Sequence, residues 1–360
     1  MPYIVKVLRA FLFMLKIKKQ RINFIVLVVI MAFLLLGTIM VIICNERNIN
    51  IPIKQNDTSS DSEAQKPCEK IRKIDGLCIT GDEVGVYAVM IDNHVGARPQ
   101  AGLNQASLVY ETVVESPITR FLVVFSLDED VAKIGPVRSA RPFYVDWTKE
   151  FNGLYAHVGG SNEAIENLNA TYKFNFDEFY NGSYFYRDNY RSAPHNVFTS
   201  SALIKKGIED KNWEIKSDFE SWKFRPEPEA DGAVLGVEID FKTYDFLVRW
   251  EYDVVEKNYV RYQGHRLHAV SDGSDILAAN IAVMYTTSSV IDSYGRRETK
   301  TIGSGQALVF QNGQVIEGLW QRNSLGNRTK FFNKDGTEIV FNVGSTWIEV
   351  VSTETANVKY

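Results

Sequence analysis

The chain has 360 residues, 45% of them apolar and 12% aromatic, enough to bury a core and too much for a disordered polymer. The 40 Lys and Arg against 44 Asp and Glu leave a formal charge of −4, which excludes the strongly basic footprint of a general nucleic-acid binder. The 3 cysteines, none in a CxxC pair, exclude a disulfide scaffold.

The charge is unevenly placed. Residues 1–23 form a basic segment with Lys6, Arg9, Lys16, Lys18, Lys19 and Arg21, and no acid precedes Cys44. Residues 24–44 read FIVLVVIMAFLLLGTIMVIIC, 21 residues without a charge. At 1.5 Å per residue a helix over them covers about 30 Å of bilayer hydrocarbon. The pattern predicts an uncleaved, single-pass transmembrane helix in the cytoplasmic membrane. The basic residues upstream place the N-terminus inside and the folded part in the extracytoplasmic space. A lipidated Cys44 is the alternative anchor, because Val41-Ile42-Ile43-Cys44 resembles a lipobox. Against it, Ile43 is bulky where a small residue is usual, and no A-x-A site is present.

Residues 45–80 contain QNDTSSDSEAQKP, a polar run without apolar period, and read as an extracytoplasmic tether. Cys68 and Cys78 flank EKIRKIDGL at its end. An oxidising compartment permits a bridge between them, and two free thiols are the alternative.

Residues 81–225 are expected to form an α/β sandwich domain with a mixed sheet. Its strands are VYAVMID (86–92), LVYETVVE (108–115) and TRFLVVFS (119–126). After Gly135-Pro136 comes SARPFYVDWTKEF, read as a helix capped by Ser139. LYAHVGGSNEAIENL reads as strand, turn and a helix capped by Ser161. FRPEPEADG supplies a linker at 226–235. Residues 236–360 then read as a mostly antiparallel β domain, with hairpin turns at Asn312-Gly313 and Asp335-Gly336. The fold class is α+β.

The residues able to do chemistry crowd into the first domain. Asp92 ends a strand, where open α/β sheets present ligand-binding groups. Arg98, Arg120, Arg138, Ser139 and Arg141 follow, and Arg187, Arg191, His195 and Asn196 arrive in YFYRDNYRSAPHN. The planar guanidinium fork suits phosphate or carboxylate. Arg98, Arg138 and Arg141 are expected to converge near Ser139 on one anion. The structural alternative is a set of cross-strand ion pairs, such as Arg120 with Glu111 or Glu115. Asp92 and His157 are the candidate bases. No Walker loop, GxGxxG, GxSxG or HExxH is present. No metal site is expected and no cofactor can be named. Trp250, Tyr252, Trp320 and Trp347 are expected as sheet core, and His265 and His268 as surface or packing residues.

Several runs carry a resemblance. MIDNHVGARPQAGLNQASLVYETVVESPITRFLVVF, KIGPVRSARPFYVDW, HVGGS, YRDNYRSAPHN and GSTWIEVV resemble the YerB-like family (domain of unknown function 3048). The likeness extends from about Tyr87 to Val351. It implies a bacterial envelope protein of the lipoprotein kind, with an N-terminal domain followed by a distinct C-terminal one. It implies no activity and supplies no catalytic residues. A looser analogy of fold and site is to the LytR-CpsA-Psr enzymes, through Asp92, Arg98 and Arg138-Ser139-Ala140-Arg141. The expected function is a membrane-anchored envelope protein that binds a phosphate- or pyrophosphate-containing ligand or an acidic envelope partner. The alternatives are an envelope phosphotransferase or hydrolase, and a protein-interaction module whose arginines are structural. Nucleic acid is not an expected partner.

Overall fold

The apolar run VYAVMID forms strand β1 (Val86–Asp92), buried on both faces, in the computed structural model of the chain. That structure describes Cys68 and residues 70–115, 117–226 and 232–360. Strands β2 (Leu108–Glu115) and β3 (Ile118–Ser126) are buried almost throughout, which accounts for their near-continuous apolar sequence. β1 runs antiparallel to β3, with Asp92 opposite Arg120, and parallel to β4 (Leu154–His157). β5 (Asn175–Asp177) adds in parallel at the edge.

On its other side, β2 pairs in parallel with Thr346–Val351, setting Leu108 opposite Thr346 and Glu111 opposite Glu349. That strand pairs in parallel with Asn280–Tyr285, and three antiparallel strands complete a mixed sheet of 10 strands among the described residues. Strands from residues 81–225 and from residues 236–360 therefore share one sheet. The fold is mixed α/β with few helices, and its C-terminal part is rich in antiparallel strands.

A second sheet covers one face. Its central strand, Leu247–Asp253, alternates in burial, turning Val248, Trp250 and Tyr252 inward. Trp250 meets Trp347 of the large sheet edge-on at 5.1 Å. The opposite face carries the helix Pro142–Thr148, whose Trp147 stacks on Tyr110 at 4.9 Å. Of the residues expected as sheet core, Trp250, Trp320 and Trp347 are fully buried and Tyr252 is buried; Trp147 is fully buried as well.

Local signals explain most element ends. Asn312 and Gly313 both take positive φ, 54° and 61°, as a two-residue type I′ turn requires between paired strands. Ser161 Oγ accepts from the Ala164 N–H and caps the helix Asn162–Thr171. Ser139 does not cap its helix. Pro142 takes the first helical position and forces Arg141 into an extended conformation, so the helix starts three residues beyond the serine.

Cys68 and Cys78 are bridged. Within that loop Arg72 pairs with Asp75, Asp128 and Glu129, at 2.5, 2.9 and 2.6 Å, fastening it to the chain just past β3. Reducing the bridge reopens a short loop in the unfolded chain. By loop-closure entropy, stability should fall by about 2–3 kcal/mol. Melting with and without dithiothreitol checks this, and an unchanged midpoint would refute it.

Candidate functional site

β1 delivers Asp92 to the end of the sheet with its side chain almost wholly buried. One carboxylate oxygen, Oδ1, accepts from the His94 N–H at 3.0 Å. The other, Oδ2, accepts from His195 Nδ1 at 2.6 Å and faces Arg138 Nε at 3.0 Å. The Arg138 contact is close but misaligned, an ion pair rather than a hydrogen bond. His94 lies flat on His195, ring centroids 4.6 Å apart. His195 Nε2 and the terminal nitrogens of Arg138 have no side-chain or backbone partner among the described residues.

Across the register, Arg120 donates to the Ser139 carbonyl at 2.9 Å and pairs with Glu115 at 3.3 Å. Its Nε is buried without a partner. Burial, and then the neighbouring Arg141, lowers its pKa to about 10, so it remains a cation at neutral pH. Arg141 also binds Glu115, through Nε at 3.0 Å and through Nη2. Three guanidinium groups (Arg120, Arg138, Arg141) thus share two carboxylates, Asp92 and Glu115. The cross-strand pair expected between Arg120 and Glu115 is present. Glu111 takes no part in it.

The remaining residues divide. Arg191 donates to the carbonyls of Ala97 and Pro99 at 2.8 and 2.5 Å, clamping the loop after β1 to the loop that carries His195. Arg187 binds Asn196 Oδ1 and Glu178, both at 3.2 Å, away from Asp92. Arg98 does not converge with Arg138 and Arg141. It turns back to Asn93, donating from Nε to Oδ1 at 3.1 Å and from Nη2 to the carbonyl at 2.9 Å, over the Phe246 ring. His157 is fully buried, with Nδ1 on the Gly159 carbonyl at 2.8 Å and Nε2 on Asn175 at 2.7 Å. Both ring nitrogens are engaged within the core, leaving neither to reach Asp92.

Behind Asp92 lies a buried network that sequence reasoning missed. Arg261 is fully enclosed and binds Glu111 at 2.6 Å and Glu349 at 2.9 Å. Trp347, Trp250 and Phe121 surround its guanidinium. Arg261 Nε donates to His268 Nδ1 at 3.0 Å, which leaves His268 Nε2–H to donate to Gln100 Oε1 at 3.0 Å. Burial, then Arg261, holds His268 well below the usual imidazole range and keeps it neutral. Gln100 Nε2 completes the path, donating to the Asp92 carbonyl and to Asn93 Oδ1, each at 3.0 Å. One sequence signal was available: Tyr259, Arg261 and Gln263 fall on the inward face of an alternating strand.

Glu349 gives this network a pH dependence. Burial, then the Glu111 carboxylate, pushes its pKa up to about 8 from an ordinary 4.5. The folded state therefore holds a proton that the unfolded chain releases above about pH 4.5. The stabilisation from that proton is complete below the unfolded value and is lost as pH rises through about 8. Melting temperature should fall between pH 5 and 8, and Glu349→Gln should flatten the slope. A slope unchanged in the variant would assign the dependence elsewhere.

Residues 79–214 match the family model described as "Protein of unknown function (DUF3048) N-terminal domain", and residues 237–348 match its C-terminal counterpart. The chain is 33% identical over 275 residues to "Putative lipoprotein YerB" of Bacillus subtilis (strain 168), covering 73% of this chain and 80% of that protein. The crystal structure of YerB from Bacillus subtilis superposes with a TM-score of 0.72 at 31% identity, covering 81% of this chain and 100% of that chain.

These findings correct the expected anchor. The relative is named as a lipoprotein, a class held to membranes by acyl chains rather than by a spanning helix. Among the described residues no helix is long and apolar enough to cross a membrane. The span expected at 24–44 lies outside them. Its 21 uncharged residues ending in Cys44 suit the hydrophobic stretch ahead of a lipidated cysteine.

Proposed function

The chain belongs to the DUF3048 family, and from that premise we propose that it is an extracytoplasmic envelope lipoprotein that binds a phosphate- or pyrophosphate-containing ligand beside Asp92. The relative's name and the position of Cys44 after an apolar run support attachment through an acylated cysteine. Residues 81–225 carry the ligand site in this reading, and residues 236–360 brace it through Arg261.

One observation carries the ligand assignment. Arg138 and His195 converge on a single buried oxygen, Asp92 Oδ2, and each keeps a partly exposed edge, 22% and 18% of its side chain. With Arg120 and Arg141 alongside, positive charge exceeds the carboxylates present. An anion bound there gains charge-assisted hydrogen bonds from preoriented donors. Titration of the full-length protein in detergent with inorganic pyrophosphate tests this. Saturable binding that weakens in Arg138→Ala supports the reading, and binding indifferent to Arg138 removes it.

A second reading rests on the Asp92–His195 pair. A carboxylate on Nδ1 orients the imidazole and leaves Nε2 to accept a proton from an attacking water or hydroxyl. This is the geometry of a hydrolase or phosphotransferase. Under that reading, His195→Gln abolishes turnover of a phosphate ester while retaining most of its binding. Equal turnover in the variant would leave the binding function alone.

A further inference from the structure

We propose that the chain holds a second binding site, for an acidic sugar, in the cavity between the loop after β1 and the hairpin formed by Asn258–Gln263 and Arg266–Leu267. The ligand class is a hydroxylated ring bearing one carboxylate or one phosphate. The cavity measures 420 Å³, within the roughly 300–1,000 Å³ of small-molecule sites. Arg120, Arg138 and Arg141 do not line it, so it is separate from the Asp92 site.

Arg98 supplies the charge recognition. Two of its nitrogens are fixed on Asn93 and its plane lies over Phe246 at 4.9 Å, while Nη1 has no partner among the described residues. Its orientation is set before any ligand arrives. Arg266, exposed at the mouth, likewise pairs with no carboxylate among the described residues. Asp245 is the one carboxylate lining the cavity, so two cations outnumber it.

Gln263 supplies the hydroxyl recognition. It is 6% exposed, and its Nε2 donates to the Asp245 carbonyl at 3.3 Å. Its Oε1 is buried without a donor and has almost no open surface. Turning the amide off that long bond, toward the cavity it lines, lets a ligand O–H meet the otherwise unmet acceptor. Tyr244 and Leu267, 62% and 46% exposed, offer a flat apolar wall for the C–H face of a sugar ring. A bare phosphate ion would meet the arginines and leave both Gln263 and that wall unused. A fatty chain would leave the polar groups unmet.

Calorimetric titration of the full-length Arg138→Ala protein in detergent, in which the Asp92 site is weakened, with glucuronate, glucose 1-phosphate, glucose and inorganic phosphate tests the proposal. Both acidic sugars should bind, with glucose and phosphate weaker by about tenfold or more. Binding of only one acidic sugar also supports the site and identifies the anionic group. Gln263→Glu, which sets a carboxylate beside the ligand's anion, should weaken acidic sugars by about tenfold. Arg266→Ala at the rim should cost about threefold, and decides the matter if the buried variant fails to melt cooperatively. Glucuronate, which carries no phosphate for the Asp92 site, should bind the unaltered and Arg138→Ala proteins alike, which keeps this site's fate distinct from that of the Asp92 site. Glucose or phosphate binding as tightly as the acidic sugars would overturn the proposal. So would glucuronate binding that needs Arg138 and is indifferent to the two cavity substitutions, or no binding of either acidic sugar.

Discussion

Arg261→Met should lower the stability of the folded protein by about 3–5 kcal/mol at pH 7, the usual cost of stranding a buried charge. The guanidinium lies between Glu111 and Glu349, all three fully buried, and no water-facing group can replace it. Methionine fills much of the volume between Trp250, Trp347 and Phe121, so the loss is electrostatic more than steric. Glu349 already holds its proton at pH 7, so Glu111 is the carboxylate left stranded and must take up a proton to stay buried. The cost should therefore shrink at pH 5, where protonation is easier. The combination Arg261→Met, Glu111→Gln and Glu349→Gln should recover most of the loss, since replacing every charge leaves none unpaired. Urea denaturation at both pH values measures this. A drop under about 1 kcal/mol for the single variant would mean that the site tolerates the stranded Glu111 carboxylate.

Arg138→Ala should weaken pyrophosphate binding by about 1.5–3 kcal/mol, the range of a charge-assisted hydrogen bond. Stability should change by less than about 1 kcal/mol, because the Arg138–Asp92 pair is partly exposed and misaligned. Asp92 keeps its hydrogen bonds from His94 and His195. Removing one of three crowded guanidinium groups also relieves repulsion on Arg120. The reverse order, a large loss of stability with pyrophosphate binding intact, would make Arg138 a prop for Asp92 rather than a ligand contact. Melting and calorimetry on one preparation separate the two.

The parts of this fold that were legible in the sequence are those governed by near neighbours. β1, β2 and β3 announce themselves as apolar runs, Asn312-Gly313 as a hairpin, and Ser161 as a cap. The sheet order was not legible. Thr112 Oγ1 donates to the Val350 carbonyl 238 residues away, and no local pattern encodes which distant strand completes β2. The site shows the same division. Its residue types were evident, and Asp92, Arg138 and His195 do meet. The directions of the long side chains were not, because an arginine's target depends on which acceptor the tertiary structure brings within reach. Arg98 found Asn93 where Ser139 was expected. His157 sits in a sequence that looks like a strand-end site, yet its ring is absorbed by Gly159 and Asn175.

The bridged loop at Cys68–Cys78 gives the molecule a polarity. Arg72 fastens that loop beside Asp128 and Glu129, past the end of β3 that pairs with Val86. Asp92 and Arg120 occupy the other end of the same two strands. The 7 residues of β1 place about 20 Å between the two poles. The disulfide-closed loop and the Asp92 cluster thus lie at opposite ends of one strand pair, so opening the bridge should loosen the loop while leaving the Asp92–Arg120 end of the same two strands in place.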